Sequence, residues 1–584
     1  MAQTQHTIYK LSVPEEEELS SFFDRIIKEY NDTKKSEGVR GNKFKQYIFR
    51  QIPLANINSS IIYIGKFTSP PEWQPFAASI AEVPKMANQN NSLLYIIETK
   101  SSVYAITTGI AHNVIKGYID STFGLDLLSK LIDQRESNVK SVADKTFFGN
   151  RYGGNQFFSK EIQLMNEKNI SSYFKEINSK VTKKTIEDKL GVKIKSKKKN
   201  YSIFAKDSFK LSKALDIYRL DELIGRIDKL LIDEDATKIN DFYKINDRSK
   251  IYKDLQNAFL EKLLKFFCTK DTSSISFNLP LEIFSLDNNF LVSKYSSIPP
   301  ITNVDKDNII EKTKMFFELF KEKTKLNKDI EIVKEFLRLN WISNNDNDSE
   351  FLYKLKEIIE CQVFLDGKLY YLLNGEWFLF EHSFIKKVNK SFKEKTENIL
   401  NASEKSIVLN EWKKGIDEGP YNASHYTTHN ILVLDKIFVK NIEICDLLIV
   451  EENDIYLVHV KKGLAGDTRI LCEQIIIAAS AIQNYKEFND DTFIEDYYKS
   501  IIRKLKTVDL KAAAEDFIKK VDSKEKFKSL FDEKKVHFVF AYSYEKDILM
   551  PEKISSTPAK VSMLELFDRM RMLEFPLHIY KIKN

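Results

Sequence analysis

Cysteine is scarce in this chain of 584 residues, and the four present, Cys268, Cys361, Cys445 and Cys472, form no CxxC pair. Their separation excludes a zinc ribbon and a disulfide framework, and it fits a reducing compartment. Glycine is also sparse, with 17 residues, and no glycine-rich approach precedes Lys461-Lys462-Gly463, so that segment is not a phosphate loop. Apolar runs stay well short of the roughly 18 residues that a membrane helix needs. The amino terminus lacks a positive segment followed by an apolar one, so no signal peptide is expected. These absences predict a soluble, cytoplasmic protein with no membrane partner. No internal repeat or low-complexity tract occurs.

What is present points to a folded, multi-domain chain. Apolar residues make up 43% and aromatics 12%, enough to bury sizeable cores, and the length predicts two to four domains. The net charge of +6 permits contact with nucleic acid without indicating it. Residues 1–180 alternate strand and helix patterns and read as an α/β domain. Here Thr7-Ile-Tyr-Lys-Leu, Ile61-Ile-Tyr-Ile-Gly and Leu93 to Thr99 are strands, and Glu15 to Tyr30 has helical spacing. Residues 181–400 are expected to be mostly helical. They open with five lysines between Lys193 and Lys199, which read as a solvated loop or hairpin tip, with a phosphate-binding patch as the alternative, and the stretch from Asn308 to Leu339 is a long helical pattern. A β-meander near 362–382 is signalled by Asp-Gly and Asn-Gly turns.

The carboxy-terminal third, 401–584, has the clearest order. Strands are predicted at Ile431 to Val439, Ile442 to Val450 and Ile455 to Val460, then helices at Thr468 to Tyr485 and Phe493 to Leu505. A fully buried strand at Val536 to Tyr542, a helix at Ser562 to Arg571 and a last strand from Leu577 complete it.

Candidate chemistry concentrates on the second and third of these strands. Asp446 stands in an otherwise apolar run, where an unpaired carboxylate is costly and metal coordination would resolve the cost. On the third strand the two-residue period puts His459 and Lys461 on one face, with Val460 turned away. Antiparallel pairing about a turn near Asn453 would bring Asp446 towards His459 and Lys461. Lys461 would then stabilise a phosphate or an attacking hydroxide, and the Val460 carbonyl would serve as a further metal ligand. His425 and His429 have the spacing of a helical metal pair, but the Ser, Tyr and Thr around them suit a loop and no third ligand is evident. Trp73, Trp341, Trp377 and Trp412 read as core residues rather than platforms for bases.

Asp446, His459 and Lys461 resemble the PD-(D/E)XK signature of restriction-endonuclease-like nucleases, within the α-β-β-β-α-β order of that superfamily. His459 stands where the signature has Glu or Asp, 13 residues after Asp446. A wider resemblance spans nearly the whole chain. Phe123-Gly-Leu, Ile203-Phe-Ala-Lys-Asp-Ser, Gly375-Glu-Trp-Phe, Glu418-Gly-Pro-Tyr421-Asn422, Glu443-Ile-Cys-Asp446 and His459-Val-Lys461-Lys462 together resemble a sporadically distributed, uncharacterised prokaryotic family often associated with phage defence. That family also carries histidine at the position of His459.

The resemblance implies a metal-dependent nuclease using Mg²⁺ or Mn²⁺, with DNA favoured over RNA, acting in anti-phage defence. It implies that Glu418 is a helix-borne metal-binding glutamate and that Gln474, on the apolar stripe of the helix after the third strand, is a polar active-site residue. His459 is then a metal ligand or a water-orienting base. The alternative is a nuclease fold that has lost its acidic ligand and binds nucleic acid as a sensor or scaffold. A phage-derived trigger or a homo-oligomer is a further expected partner.

Overall fold

The computed structural model describes residues 5–583. Stretches 14–16, 37–42, 48–53, 147–153, 195–197, 233–237, 270–274, 278–288, 305–307, 345–352, 403–406, 489–490 and 508–514, and positions 70, 83, 87, 169, 171, 248, 296, 441, 467, 516, 518 and 555, lie outside the described residues. The polar loop expected after Asn344 and the middle of the lysine cluster fall there. The fold is mixed α/β with several sheets. It divides into two compact units, one ending at Asp254 and the other beginning at Leu255.

The first unit is built on a ten-stranded sheet. Its central strand is Thr7–Leu11, paired antiparallel with Val103–Thr107 on one side and Ser208–Leu211 on the other. Alternation along the inner strands feeds two cores. Leu94 and Ile96 point with Phe22, Phe23 and Ile26 of the helix Leu19–Ser36 into one. Tyr95 and Ile97 point with Leu127, Leu128, Leu223 and Ile224 into the other. Strands apolar on both faces are what a sheet covered on both sides demands.

Two of the motifs quoted above meet in this unit. A Cβ on Gly124, in the helix Phe123–Leu131, would fall 2.1 Å from the Ser208 carbonyl oxygen and 2.6 Å from that of Lys206. Only glycine lets this helix lie so close to the hairpin that holds Ile203 to Ser208.

In the second unit the pattern from Asn308 to Leu339 forms two helices rather than one, Ile309–Lys323 and Asp329–Leu339. Folding back brings Phe316, Phe317 and Phe320 around Phe336, with Phe267 stacked on Phe317 at 4.0 Å. The meander Ile359–Leu365, Lys368–Leu373, Glu376–Phe380 turns at Asp366-Gly367 and Asn374-Gly375, all four with positive φ, as type I′ hairpins require.

The last sheet has the order Ile431–Val433, Leu447–Val450, Asp454–Lys462, Lys535–Ser543, Leu577–Lys581. The first two pairings are antiparallel and the last two parallel. The helix Glu418–Ala423 precedes the sheet, and among the described residues the helices Thr468–Phe488, Asp491–Thr507 and Lys524–Glu533 lie between the third strand and the fourth. Among the described residues no helix is long and apolar enough to cross a membrane.

Candidate metal centre in the carboxy-terminal sheet

Pairing of Leu447–Val450 with Asp454–Lys462 sets Leu447 against Val458 and Val450 against Ile455. Leu447, Ile449, Tyr456, Val458 and Val460 are buried together with Trp412 and Tyr421 on one side of the sheet. His459 alternates with them and lies on the other side. There its ring runs parallel to that of Phe538, 6.5 Å away, and is 1% exposed.

Asp446 sits immediately before its strand and is held at backbone and side chain alike. Its N–H donates to the Val458 carbonyl at 3.0 Å and its carbonyl accepts from Leu434 at 2.8 Å. The carboxylate Oδ2 accepts the Val460 N–H at 2.7 Å. The Val460 N–H is thus one of the contacts that hold this carboxylate.

Two further carboxylates join it. Asp435, Glu443 and Asp446 each bring an oxygen within 4.8 Å of the other two. The loop 434–443 makes this possible. Lys436 and Lys440 take φ values of 59° and 49°, and Val439 bridges to Ile442, so the chain reverses and returns Glu443 beside Asp435. Lys436 N–H donates to Glu443 Oε1 at 2.6 Å, Gln474 Nε2 to Glu443 Oε2 at 3.1 Å, and Asn422 Nδ2 to Asp435 Oδ1 at 3.0 Å. Tyr497 braces the loop by accepting the Ile444 N–H at 3.0 Å and donating to the Ile437 carbonyl, and burial keeps its hydroxyl protonated.

Two carboxylates at this separation repel by about 3 kcal/mol at an effective dielectric of about 20. The three are stable together only with donors and positive charge around them. The donor set is hard oxygen throughout, which suits Mg²⁺ or Mn²⁺, and Glu443 and Asp446 are buried, so the residues present fit such an ion.

Glu418 begins the helix Glu418–Ala423 and takes a different place. Its Oε1 accepts from Lys461 Nζ at 2.9 Å and from the Lys462 N–H at 3.0 Å, while Lys462 Nζ reaches Asp417 Oδ1 at 2.9 Å. Among the described residues neither Glu418 nor His459 belongs to the three-carboxylate cluster. Gln474 does reach it, through Glu443.

Sequence patterns alone do not single out Asp435, Glu443 or Asn422 as site residues. Asn422 and Glu443 lie inside motifs quoted for the family resemblance, and that was the available signal. His425 accepts the Asn410 N–H at Nε2, 3.0 Å, so its Nδ1 carries the proton and faces the Tyr421 carbonyl at 3.2 Å. With both nitrogens engaged, this imidazole has no lone pair for a metal. Trp341, Trp377 and Trp412 are buried, whereas Trp73 is half exposed.

Comparison with curated proteins and with solved structures returns no match. Residues 7–583 match a family of unknown function, DUF6119, and the chain belongs to that family.

Proposed function

We propose that the carboxy-terminal sheet and its helices form a metal-dependent nuclease of the PD-(D/E)XK class. The observation that carries this reading is the meeting of Asp446 with Asp435 and Glu443, next to the strand that bears Lys461. The order along the chain supports it: helix, three strands, helices, strand, with the second strand antiparallel to both neighbours. Asp446, Glu443 and Asp435 would hold Mg²⁺ or Mn²⁺. When bound, such an ion supplies an acidified water and neutralises charge on the phosphate oxygens.

The chain's own residues do the rest. The Val460 N–H fixes the Asp446 carboxylate, and the Gln474 amide fixes that of Glu443. Lys461 offers an ammonium to a phosphate oxygen, and Glu418, expected as a metal ligand, acts in this reading by positioning that lysine. DNA is favoured over RNA on superfamily grounds. A cytoplasmic role against phage, with a phage-derived trigger or self-assembly, rests on the family resemblance alone.

A second reading has its own support. His459, at the place of the signature's second acid, is packed against Phe538 on the side of the sheet away from Val460. A protein that binds nucleic acid without cutting it would tolerate that.

Wild type, Asp446→Asn and Lys461→Ala, each incubated with plasmid, single-stranded DNA and RNA in Mg²⁺, Mn²⁺ or EDTA, separate the two. Cleavage by wild type alone, abolished by EDTA, supports the nuclease. Nucleic-acid retention with no cleavage in any metal supports the binder.

A further inference from the structure

The helix Asp491–Thr507 carries two residues that face the loop 434–443. Tyr497 is bonded to Ile437 and Ile444, and Lys504, two turns further on, donates from Nζ to the Asp435 carbonyl oxygen. Residues seven apart share a helix face, so the anchoring of Tyr497 fixes where the Lys504 stem leaves the helix. Lys504 is largely buried, and its ammonium feels attraction from Asp435, Glu443 and Asp446 together. Burial and the nearby Lys436 act against that charge, and on balance its pKa is lowered. Without the acids there would be no reason for an ammonium to be kept here, because a buried lysine is costly.

We infer that Lys504 is the resident counter-ion of the Asp435–Glu443–Asp446 cluster and competes with a divalent cation for it. This rests on the metal-binding reading given above. An ammonium held at the Asp435 backbone carbonyl, near enough to feel all three carboxylates, offsets their mutual repulsion and keeps the loop 434–443 closed in the metal-free protein. A dication placed among the same oxygens repels it. Part of the intrinsic affinity for metal is therefore spent on displacing Lys504, which raises the metal concentration at which the site fills. For an enzyme whose activity would damage its host, that threshold restrains the resting state.

Mn²⁺ binding to the EDTA-stripped full chain, followed by calorimetric titration and by the signal of free Mn²⁺ in electron paramagnetic resonance, tests this. Wild type, Lys504→Met, Lys504→Arg and Asp446→Asn are compared, each also melted in EDTA and in saturating Mn²⁺. Lys504→Met is expected to bind about tenfold tighter than wild type or better, and Lys504→Arg as wild type does. Lys504→Met should melt lower than wild type in EDTA and recover the deficit in Mn²⁺, a rescue that loss of packing alone would not give. Binding by Lys504→Met where wild type shows none also supports the inference. Unchanged or weaker binding by Lys504→Met, with Asp446→Asn impaired, overturns the inference and leaves the metal site standing. No binding by either protein, or wild-type binding by Asp446→Asn, overturns both. If Lys504→Met does not fold, Lys504→Gln takes its place in the same titrations.

Discussion

Lys461 Nζ lies 2.9 Å from Glu418 Oε1, and the same oxygen accepts the backbone N–H of Lys462 at 3.0 Å. One carboxylate oxygen thus fixes both the end of the long strand and the head group of the lysine beside it. Both side chains are mostly buried, so the pair is less screened than a surface ion pair.

That relationship makes Glu418 and Lys461 separable by mutation. Lys461→Ala is expected to lower single-turnover cleavage by about 10²-fold, the usual loss for one group aimed at developing charge. Glu418→Gln keeps an acceptor for the Lys462 N–H but removes the charge that holds Lys461. It should cost about 1 kcal/mol of stability and lower the cleavage rate by a smaller factor. Rapid-quench kinetics with urea unfolding on the same samples checks this. Wild-type rates in Glu418→Gln would show that Lys461 needs no positioning.

A second ion pair anchors the helix that carries Gln474. Arg469 Nη1 lies 3.0 Å from Glu360 Oε1 of the meander, with side chains 3% and 5% exposed, and Arg469 Nε also reaches Glu473 at 3.4 Å. Arg469→Met strands a buried carboxylate and is expected to destabilise by about 3–5 kcal/mol. Glu360→Gln combined with Arg469→Met should recover part of that loss, because Glu360 then carries no charge, while Glu473 still loses its contact with the guanidinium. Chemical denaturation of the single and double variants measures the difference.

The strands Asp454–Lys462 and Lys535–Ser543 were legible as apolar runs between polar breaks, whereas the strands expected at Ile431 to Val439 and Ile442 to Val450 shrink to Ile431–Val433 and Leu447–Val450, because the chain between them turns back on itself. Gln474 was legible because a polar residue interrupted an apolar stripe. Asp446 stood out for the same reason. Asp435 and Glu443 did not, since their meeting depends on a loop in which two lysines take left-handed backbone conformations, and no residue type there announces such a turn. The division between Ile309–Lys323 and Asp329–Leu339 was hidden similarly: the intervening Thr-Lys-Leu-Asn-Lys holds neither glycine nor proline. In the first unit, local patterns gave individual strands but not their order. Thr7 pairs with Lys210, and no short-range signal encodes a contact so distant along the chain.

Gly124 tests one long-range contact directly. With Ser208 and Lys206 carbonyls 2.1 and 2.6 Å from where its Cβ would be, Gly124→Ala forces the helix Phe123–Leu131 away from backbone that cannot swing aside. A loss of about 1–3 kcal/mol is expected, in the range for overpacking a close contact. Gly367→Ala, whose Cβ would meet nothing within 4 Å, carries only the conformational cost of its positive φ. Thermal melts of the two variants separate steric clash from backbone strain, and equal losses would refute the clash.

At the starts of Asp454–Lys462, Lys535–Ser543 and Leu577–Lys581 three side chains are bonded in a row, and one of them, His578, links stability to pH. His537 Nε2 lies 3.0 Å from Asp454 Oδ1, and His537 Nδ1 lies 2.9 Å from His578 Nε2. Burial first, then the neighbouring His537 and Lys535, pushes His578 down to about 4, against a smaller opposing pull from Asp454. Its folded pKa is thus below the unfolded value near 6.5. Between these values the unfolded chain binds a proton that the folded chain does not. The stability is fully present above about pH 6.5 and is lost as pH falls towards 4. Discounted for the partial exposure of the ring, the loss is about 1–2 kcal/mol. Burial lowers His425 in the same sense, so it adds to the trend with the same sign. Unfolding free energies of wild type and His578→Gln from pH 7.5 to 4.5 provide the check, because the variant should show a shallower decline. Parallel curves would mean that His578 keeps an ordinary pKa and that other groups carry the acid sensitivity.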